Sequence, residues 1–179
     1  LDGAYTTVYA YQPGAPYPWP IFDRTVDPAF APLVNTLVTM TFGSNYLIYA
    51  TQVVTPYIGV VGDDTLQAAS AQSNLVEPPA TFYGMLSSQA DSIAAEGMTI
   101  QAKIGGVVCG ESKLQRWKGG LAYVIQVKAD SGDGCGAPGR TVVFDIANQP
   151  ISPPTTWDNQ HVVAVLSNGH VIYLPLVAR

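Results

Sequence analysis

The sequence predicts an all-β protein, an antiparallel β-sandwich with almost no helix. Three observations predict it. Apolar residues alternate or come in short blocks, and Gly, Pro, Asn and Asp bound the blocks. The composition is rich in the residues that suit a pleated, half-buried surface, with ten Tyr and many Thr and Val. Only 12% of residues are charged, about half the usual share of a soluble domain. Ser87–Glu96 is the one helix-like patch; it lacks a firm apolar stripe and reads as a loop or a single turn.

The first strand is expected at Ala4–Tyr11, with Tyr5, Thr7, Tyr9 and Tyr11 on one face and Ala4, Thr6, Val8 and Ala10 on the other. Pro13, Pro16, Pro18 and Pro20 follow, interleaved with Tyr17 and Trp19. Proline lacks a backbone donor, so this stretch reads as a stiff arm near polyproline II and not as a paired strand. Strands are expected at Leu33–Phe42 and Tyr46–Thr55, joined by a turn at Gly43-Ser44-Asn45, and then at Tyr57–Val61 and Thr65–Ala71. Glu77-Pro78-Pro79 reads as a linker. The expected organisation is an N-terminal strand and Pro-rich arm over 1–32, a first β module over 33–78 that the arm or a neighbour completes, and a second β module over 79–179.

The second module reads more cleanly. Candidate strands are Thr81–Leu86, Met98–Ile104, Val107–Leu114, Leu121–Ala129, Arg140–Ala147, His161–Ser167 and Val171–Val177. Gly105-Gly106 and Asn168-Gly169 are two-residue hairpin signals, and Gly119-Gly120 marks a further turn. Short strands with turns every ~8–12 residues are the pattern of an immunoglobulin-like or related sandwich. Cys109 and Cys135 are the only thiols. An even count in an export-like composition favours a disulfide between them, worth roughly 3 kcal/mol for a loop of about 26 residues. Two free buried thiols are the alternative. A metal site is disfavoured, because no His stands near to complete a tetrahedral shell.

The stretch from Pro79 to about Ser167 resembles an immunoglobulin-like β-sandwich module found in secreted and surface proteins of bacteria and archaea. The resemblance is carried by Thr81-Phe82-Tyr83-Gly84, by the hairpin Thr99-Ile100-Gln101-Ala102-Lys103-Ile104-Gly105-Gly106-Val107-Val108-Cys109-Gly110, and by Tyr123–Val127. It continues through Gly134-Cys135-Gly136-Ala137-Pro138-Gly139-Arg140-Thr141-Val142-Val143-Phe144, and ends at Trp157. The ending Ile172-Tyr173-Leu174-Pro175-Leu176-Val177 resembles a terminal segment of exported bacterial proteins. The resemblance covers about half of the chain. It implies a sandwich, a disulfide and export, and no catalytic residue.

Charge narrows the partners. The net charge of −5 sits in the first half, where Arg24 alone faces Asp2, Asp23, Asp27, Asp63, Asp64 and Glu77. Nucleic acid needs a dense Lys/Arg stripe, and there is none. No apolar run reaches the ~18 residues of a membrane-spanning helix. The chain begins at Leu1 and not Met, which reads as the product of signal-peptide cleavage and hence as an extracellular or cell-surface protein.

Chemistry is sparse, and the expectation is a non-enzyme without a cofactor. His161 and His170 fall at strand ends, with nothing local that makes a triad and no Gly-x-Ser-x-Gly elbow. Asp63-Asp64 and the pair Asp130 and Asp133 lie in Gly-rich turns, where turn chemistry accounts for them. Asp130 and Asp133 are also a calcium candidate, though their spacing is not that of an EF-hand and no Glu closes the loop. Tyr17, Trp19, Trp117 and Tyr123 are candidates for stacking on sugar rings; packing in a core or interface is the ordinary role of such residues.

The functional expectation is a structural subunit of an extracellular filament or pilus-like assembly of identical chains. The N-terminal strand, with Tyr5, Val8, Tyr9 and Tyr11, would add to a neighbour's sheet on the Pro-rich arm that carries Tyr17 and Trp19. The alternative is a carbohydrate-binding or adhesive module that contacts cell-surface glycans. Whether the strand pairs within its own chain or with another is open at the level of sequence.

Overall fold

The computed structural model describes residues 4–15, 18–41, 44–51, 77–86, 94–151, 153–158 and 162–164. The expected strands at 57–61, 65–71 and 171–177, the turn at Asn168-Gly169, most of the helix-like patch from Ser87, and Tyr17, Asp63, Asp64, His161 and His170 lie outside these residues. The described residues are nearly all β, in antiparallel sheets with one parallel pair.

The first sheet has three strands in the order β2-β1-β3, with β1 at Tyr5–Tyr11, β2 at Ile21–Asp23 and β3 at Asn45–Ala50. It joins the expected arm and the first module in one unit. The Pro-rich stretch does not extend away as a stiff arm. It closes a β1–β2 hairpin, with a turn in which the Ala15 amide donates to the Gln12 carbonyl at 3.2 Å. Pro18 and Pro20 take part in the ladder as acceptors only: their carbonyls receive the Gln12 and Ala10 amides at 2.8 and 2.9 Å. A proline fits on a flanking strand because the donor it lacks points away from the partner.

The expected strand at Leu33–Phe42 is corrected. Ala31–Val34 is a single helical turn, α1. The Asp27 carboxylate accepts the Ala29 amide at 2.7 Å, its carbonyl accepts the Phe30 and Ala31 amides, and a proline stands in the first turn, where no donor is required. The chain then runs along the outer edge of β2 without forming a strand. The Asn35 side-chain amide accepts the Asp23 N–H at 2.8 Å and donates to the Asp23 carbonyl at 3.1 Å, as a strand neighbour would. Thr36 Oγ1 accepts the Ile21 amide at 3.1 Å, and the Leu37 amide donates to the Ile21 carbonyl at 2.8 Å. The β2 edge is thereby occupied.

The second half forms two further sheets. One has the order β12-β4-β8-β7, from Val162–Ala164, Ala80–Met85, Gly120–Val127 and Gln115–Trp117. The other has the order β10-β9-β5-β6, from Gln149–Pro150, Thr141–Ile146, Thr99–Ile104 and Val107–Lys113, with β11 (Thr155–Thr156) also on β9. Gly105 and Gly106 both take positive φ, 58° and 87°, as the tight β5–β6 hairpin requires. The next turn lies at Lys118-Gly119 and not at Gly119-Gly120, since Gly120 already belongs to β8. Strand β4 lies beside β8 and β12, and β5 beside β6 and β9.

The inner faces of these two sheets meet in one apolar cluster. Phe82, Tyr123, Ile125 and Val127 come from one sheet and Ile100, Ala102, Phe144 and Ile146 from the other. The disulfide Cys109–Cys135 is present, with both residues buried in this cluster and their Cα atoms 5.4 Å apart. It ties β6 to the loop before β9. Trp157 is fully buried, donates from Nε1 to the Val127 carbonyl at 3.0 Å, and lies flat against Gly136, where an added Cβ would come within 2.0 Å of the indole nitrogen. Strand β6 also crosses β8 closely: the Lys128 amide donates to the Cys109 carbonyl at 3.0 Å, and a Cβ on Gly110 would meet the Gln126 carbonyl at 2.4 Å.

Gly136→Ala therefore forces the indole or the loop to move. We expect it to cost about 1–3 kcal/mol in urea unfolding, as overpacking of a dense core does. An unchanged unfolding midpoint would show that Trp157 does not seat on the glycine.

Candidate functional site

Side chains on β4 and β8 alternate between two buried environments. Phe82, Tyr123 and Ile125 point into the disulfide-bonded core, while Tyr83 and Val124 point outward and are covered by Val26, Phe30, Ala31 and Val34. The polar contacts agree. The Trp117 indole donates to the Ala29 carbonyl at 2.9 Å, the Asp27 amide donates to the Tyr83 hydroxyl at 3.3 Å, and Gln126 Nε2 donates to the Trp19 carbonyl at 2.7 Å. The N-terminal segment is seated on the outer face of the β4–β8 pair.

Between the two parts lies a cleft of about 1020 Å³. One wall is Pro18–Ile21 with Leu33, Val34 and Thr36. The other comes from β8 and the residues after it, from Val124 to Ser131, with Glu111 and Ser112 of β6. Thr81 borders the cleft but is fully buried, with its hydroxyl turned to the Tyr9 phenol and not to the open space. Sequence reasoning missed Thr81, Gln126 and Asn35. A lone Thr or Gln on a strand carries no signal until its neighbours are known. It also missed the buried Asp23, whose carboxylate accepts from the Thr7 hydroxyl at 2.6 Å and from the Thr25 amide and hydroxyl at 2.7 and 2.6 Å.

The residues expected in an assembly strand all lie on β1, which is paired within its own chain on both edges, to β2 and to β3. Val8 and Tyr9 are buried. Tyr5 packs on Phe22 and carries the Arg24 guanidinium over its ring at 5.5 Å. Tyr11 packs on Trp19, with ring centroids 4.7 Å apart. Two of the expected sugar-stacking residues are buried in cores and a third is half-buried. Trp19 is buried against Tyr9 and Tyr11, Tyr123 is fully buried in the main core, and Trp117 is half-buried with its indole engaged. Aromatic area was worth more to the core than to a surface.

Asp130 and Asp133 come together in the disulfide loop, and three of their four carboxylate oxygens are bonded within it. Asp130 Oδ1 accepts the Gly132 and Gly134 amides at 2.9 and 3.1 Å, and Asp133 forms an ion pair with Lys128. The Gly132 amide, then that of Gly134, holds the exposed Asp130 carboxyl below its usual range; the Lys128 ammonium does the same for Asp133. Arg140 closes the loop by donating to the Gly134 and Cys135 carbonyls at 2.5 and 3.3 Å. Among the described residues no group of three or more His, Cys, Asp or Glu is placed to hold a metal ion.

No family model, no curated protein and no solved structure matches this chain.

Burial pushes the phenols of Tyr9 and Tyr123 well above their usual 10.0. A raised folded-state pKa contributes stability that is fully present below the unfolded pKa and is lost as pH rises past it. We expect stability to fall above about pH 10, and an ultraviolet titration to show these two phenols ionising only on unfolding. The Tyr123 hydroxyl has no hydrogen-bond partner among the described residues, so Tyr123→Phe is expected to be neutral or stabilising. A loss of more than about 1 kcal/mol would mean that the hydroxyl is satisfied.

Proposed function

We propose that this protein is a structural subunit of an extracellular, filament- or pilus-like surface assembly, built on a disulfide-bonded β-sandwich and joined to copies of itself through the N-terminal sheet. The observation that carries this reading is the contrast between the two edges of that sheet. The β2 edge is occupied by Asn35, Thr36 and Leu37. The β3 edge, Asn45-Tyr46-Leu47-Ile48-Tyr49-Ala50, contains no charge and no proline, the usual devices against edge-to-edge pairing, and no described strand covers it. Beside it in sequence lie Val38, 90% exposed, and Met40, 50% exposed.

The reading differs from the sequence expectation in its joint. β1 already has a strand on each side, so donating it to a neighbour means exchanging the β1–β2 hairpin between chains. Addition at β3 needs no such exchange. Extracellular placement is supported by the disulfide, which persists in oxidising compartments. No described helix is long and apolar enough to cross a membrane. The sandwich is supported by the shared core of two sheets; the strand order adds nothing in favour of the immunoglobulin arrangement. A module that grips glycans on a flat aromatic row is disfavoured, because Trp19 and Tyr123 are buried.

Sedimentation velocity over a concentration series, with electron microscopy of the most concentrated sample, tests the assembly. Association is expected for the full chain and is expected to weaken in Val38→Asp/Met40→Asp. Both side chains are exposed, so the melting temperature should stay the same. A full chain that stays monomeric at every concentration, with no filaments, would overturn the reading.

A further inference from the structure

Strands β5 and β9 bring three polar side chains together on the outer face of their sheet. The inner face carries Ile100 and Ala102 of β5 and Phe144 and Ile146 of β9. Alternation therefore turns Lys103 and Asp145 outward. Gln101 stands opposite Asp145 and Lys103 opposite Val143, so Lys103 and Asp145 are diagonal neighbours on one face. Lys103 Nζ lies 2.7 Å from Asp145 Oδ2, and the two side chains are only 22% and 9% exposed. Nζ also donates to Asn148 Oδ1 at 3.2 Å. One nitrogen thus touches a carboxylate and a carboxamide at once.

Both partners of this lysine are unusual. Asp145 is buried although it points outward, and its Oδ1 has no hydrogen bond among the described residues. An ionised carboxylate buried with one oxygen unserved is costly, and such an atom calls for an explanation. Asn148 sits in the two-residue turn that joins Ile146 to its partner Gln149. Ala147 and Asn148 take φ of 51° and 63°. That left-handed region disfavours a residue with a Cβ, and alanine has no polar group to compensate. The strained turn holds the Asn148 carboxamide against Nζ. Its carbon Cγ is one bond from the oxygen that Nζ already touches. A nucleophile and an electrophile are therefore in contact, with a proton acceptor beside them.

We propose that Lys103 and Asn148 join in an intramolecular amide. Asp145 Oδ2 takes one proton from Nζ and frees the lone pair that attacks Cγ of Asn148. The Nζ–Cγ bond forms and the Cγ–Nδ2 bond breaks. A second Nζ proton, relayed by the Asp145 carboxyl, goes to Nδ2, which leaves as ammonia. Asp145 is left as the neutral acid. No oxidant or further reactant is consumed, and a buried ion pair becomes a neutral amide beside a neutral acid. The new bond ties β5 to the β9–β10 turn across a sequence separation of 45, and the disulfide Cys109–Cys135 lies inside the loop it closes. The proposal goes beyond the assembly reading and does not rest on it.

Intact mass spectrometry of the full chain, reduced and denatured, tests the proposal. The mass is expected to fall short of that of the sequence by one ammonia. Proteolysis is expected to release a branched peptide that joins the segments around Lys103 and Asn148. Lys103→Arg keeps a cation beside Asp145 but removes the nucleophile. Asn148→Gly suits the left-handed turn but removes the electrophile. Each should restore the full mass of its sequence. A full chain at the sequence mass would overturn the proposal. So would a deficit carried by a linear peptide, or one that persists in either variant.

Discussion

Strands β4 and β8 are buried on both faces, and the rest of the described structure is arranged around that constraint. Their inner residues, Phe82, Tyr123, Ile125 and Val127, close the disulfide-bonded core. Their outer residues Tyr83 and Val124 would be an exposed apolar patch if nothing covered them. Val26, Phe30 and Val34 cover them, which requires the chain between β2 and β3 to lie down on the sheet and not to continue as a strand. The single turn α1 and the irregular run after it follow from this seating. So does the cleft, which is the space left where Pro18–Ile21 stands off from the end of β8.

Two close approaches fix the other side of the molecule. Trp157 seats on Gly136 directly after Cys135, and β6 crosses β8 at Gly110 directly after Cys109. The disulfide therefore lies beside two points of close approach to the backbone. The loop it closes is held further by the Asp130 cap, the Lys128–Asp133 pair and Arg140. These contacts brace the loop against the disulfide core.

The strands of the second half were largely legible in the sequence, because alternation and Gly-Gly turns are local signals. The Thr99–Ile104 and Val107–Lys113 strands fall within one residue of the expected bounds, and Cys109 and Cys135 are paired. The first half was less legible. Prolines at 18 and 20 argue against pairing only when both backbone groups are needed; on a flanking strand the carbonyl suffices. Leu33–Met40 has the apolar content of a strand, but Val34 is buried by Tyr83 and Val124, residues about 50 and 90 positions away. The candidate site was hardly legible at all. Thr81, Gln126 and Asn35 are ordinary residues whose roles come from what faces them.

By itself the sequence determined the all-β class, the disulfide pair and the Gly105-Gly106 turn, since each depends on the conformational preferences of a few adjacent residues or on the number of cysteines. Only the tertiary structure decided which faces of β4 and β8 are covered, where β1 finds its partners, and that a cleft remains beside Thr81. Those outcomes depend on contacts between segments far apart in the chain. Aromatic side chains such as Trp19 and Tyr123 can serve a surface or a core equally well by local rules, and the apolar area they bury settles the matter in favour of the core.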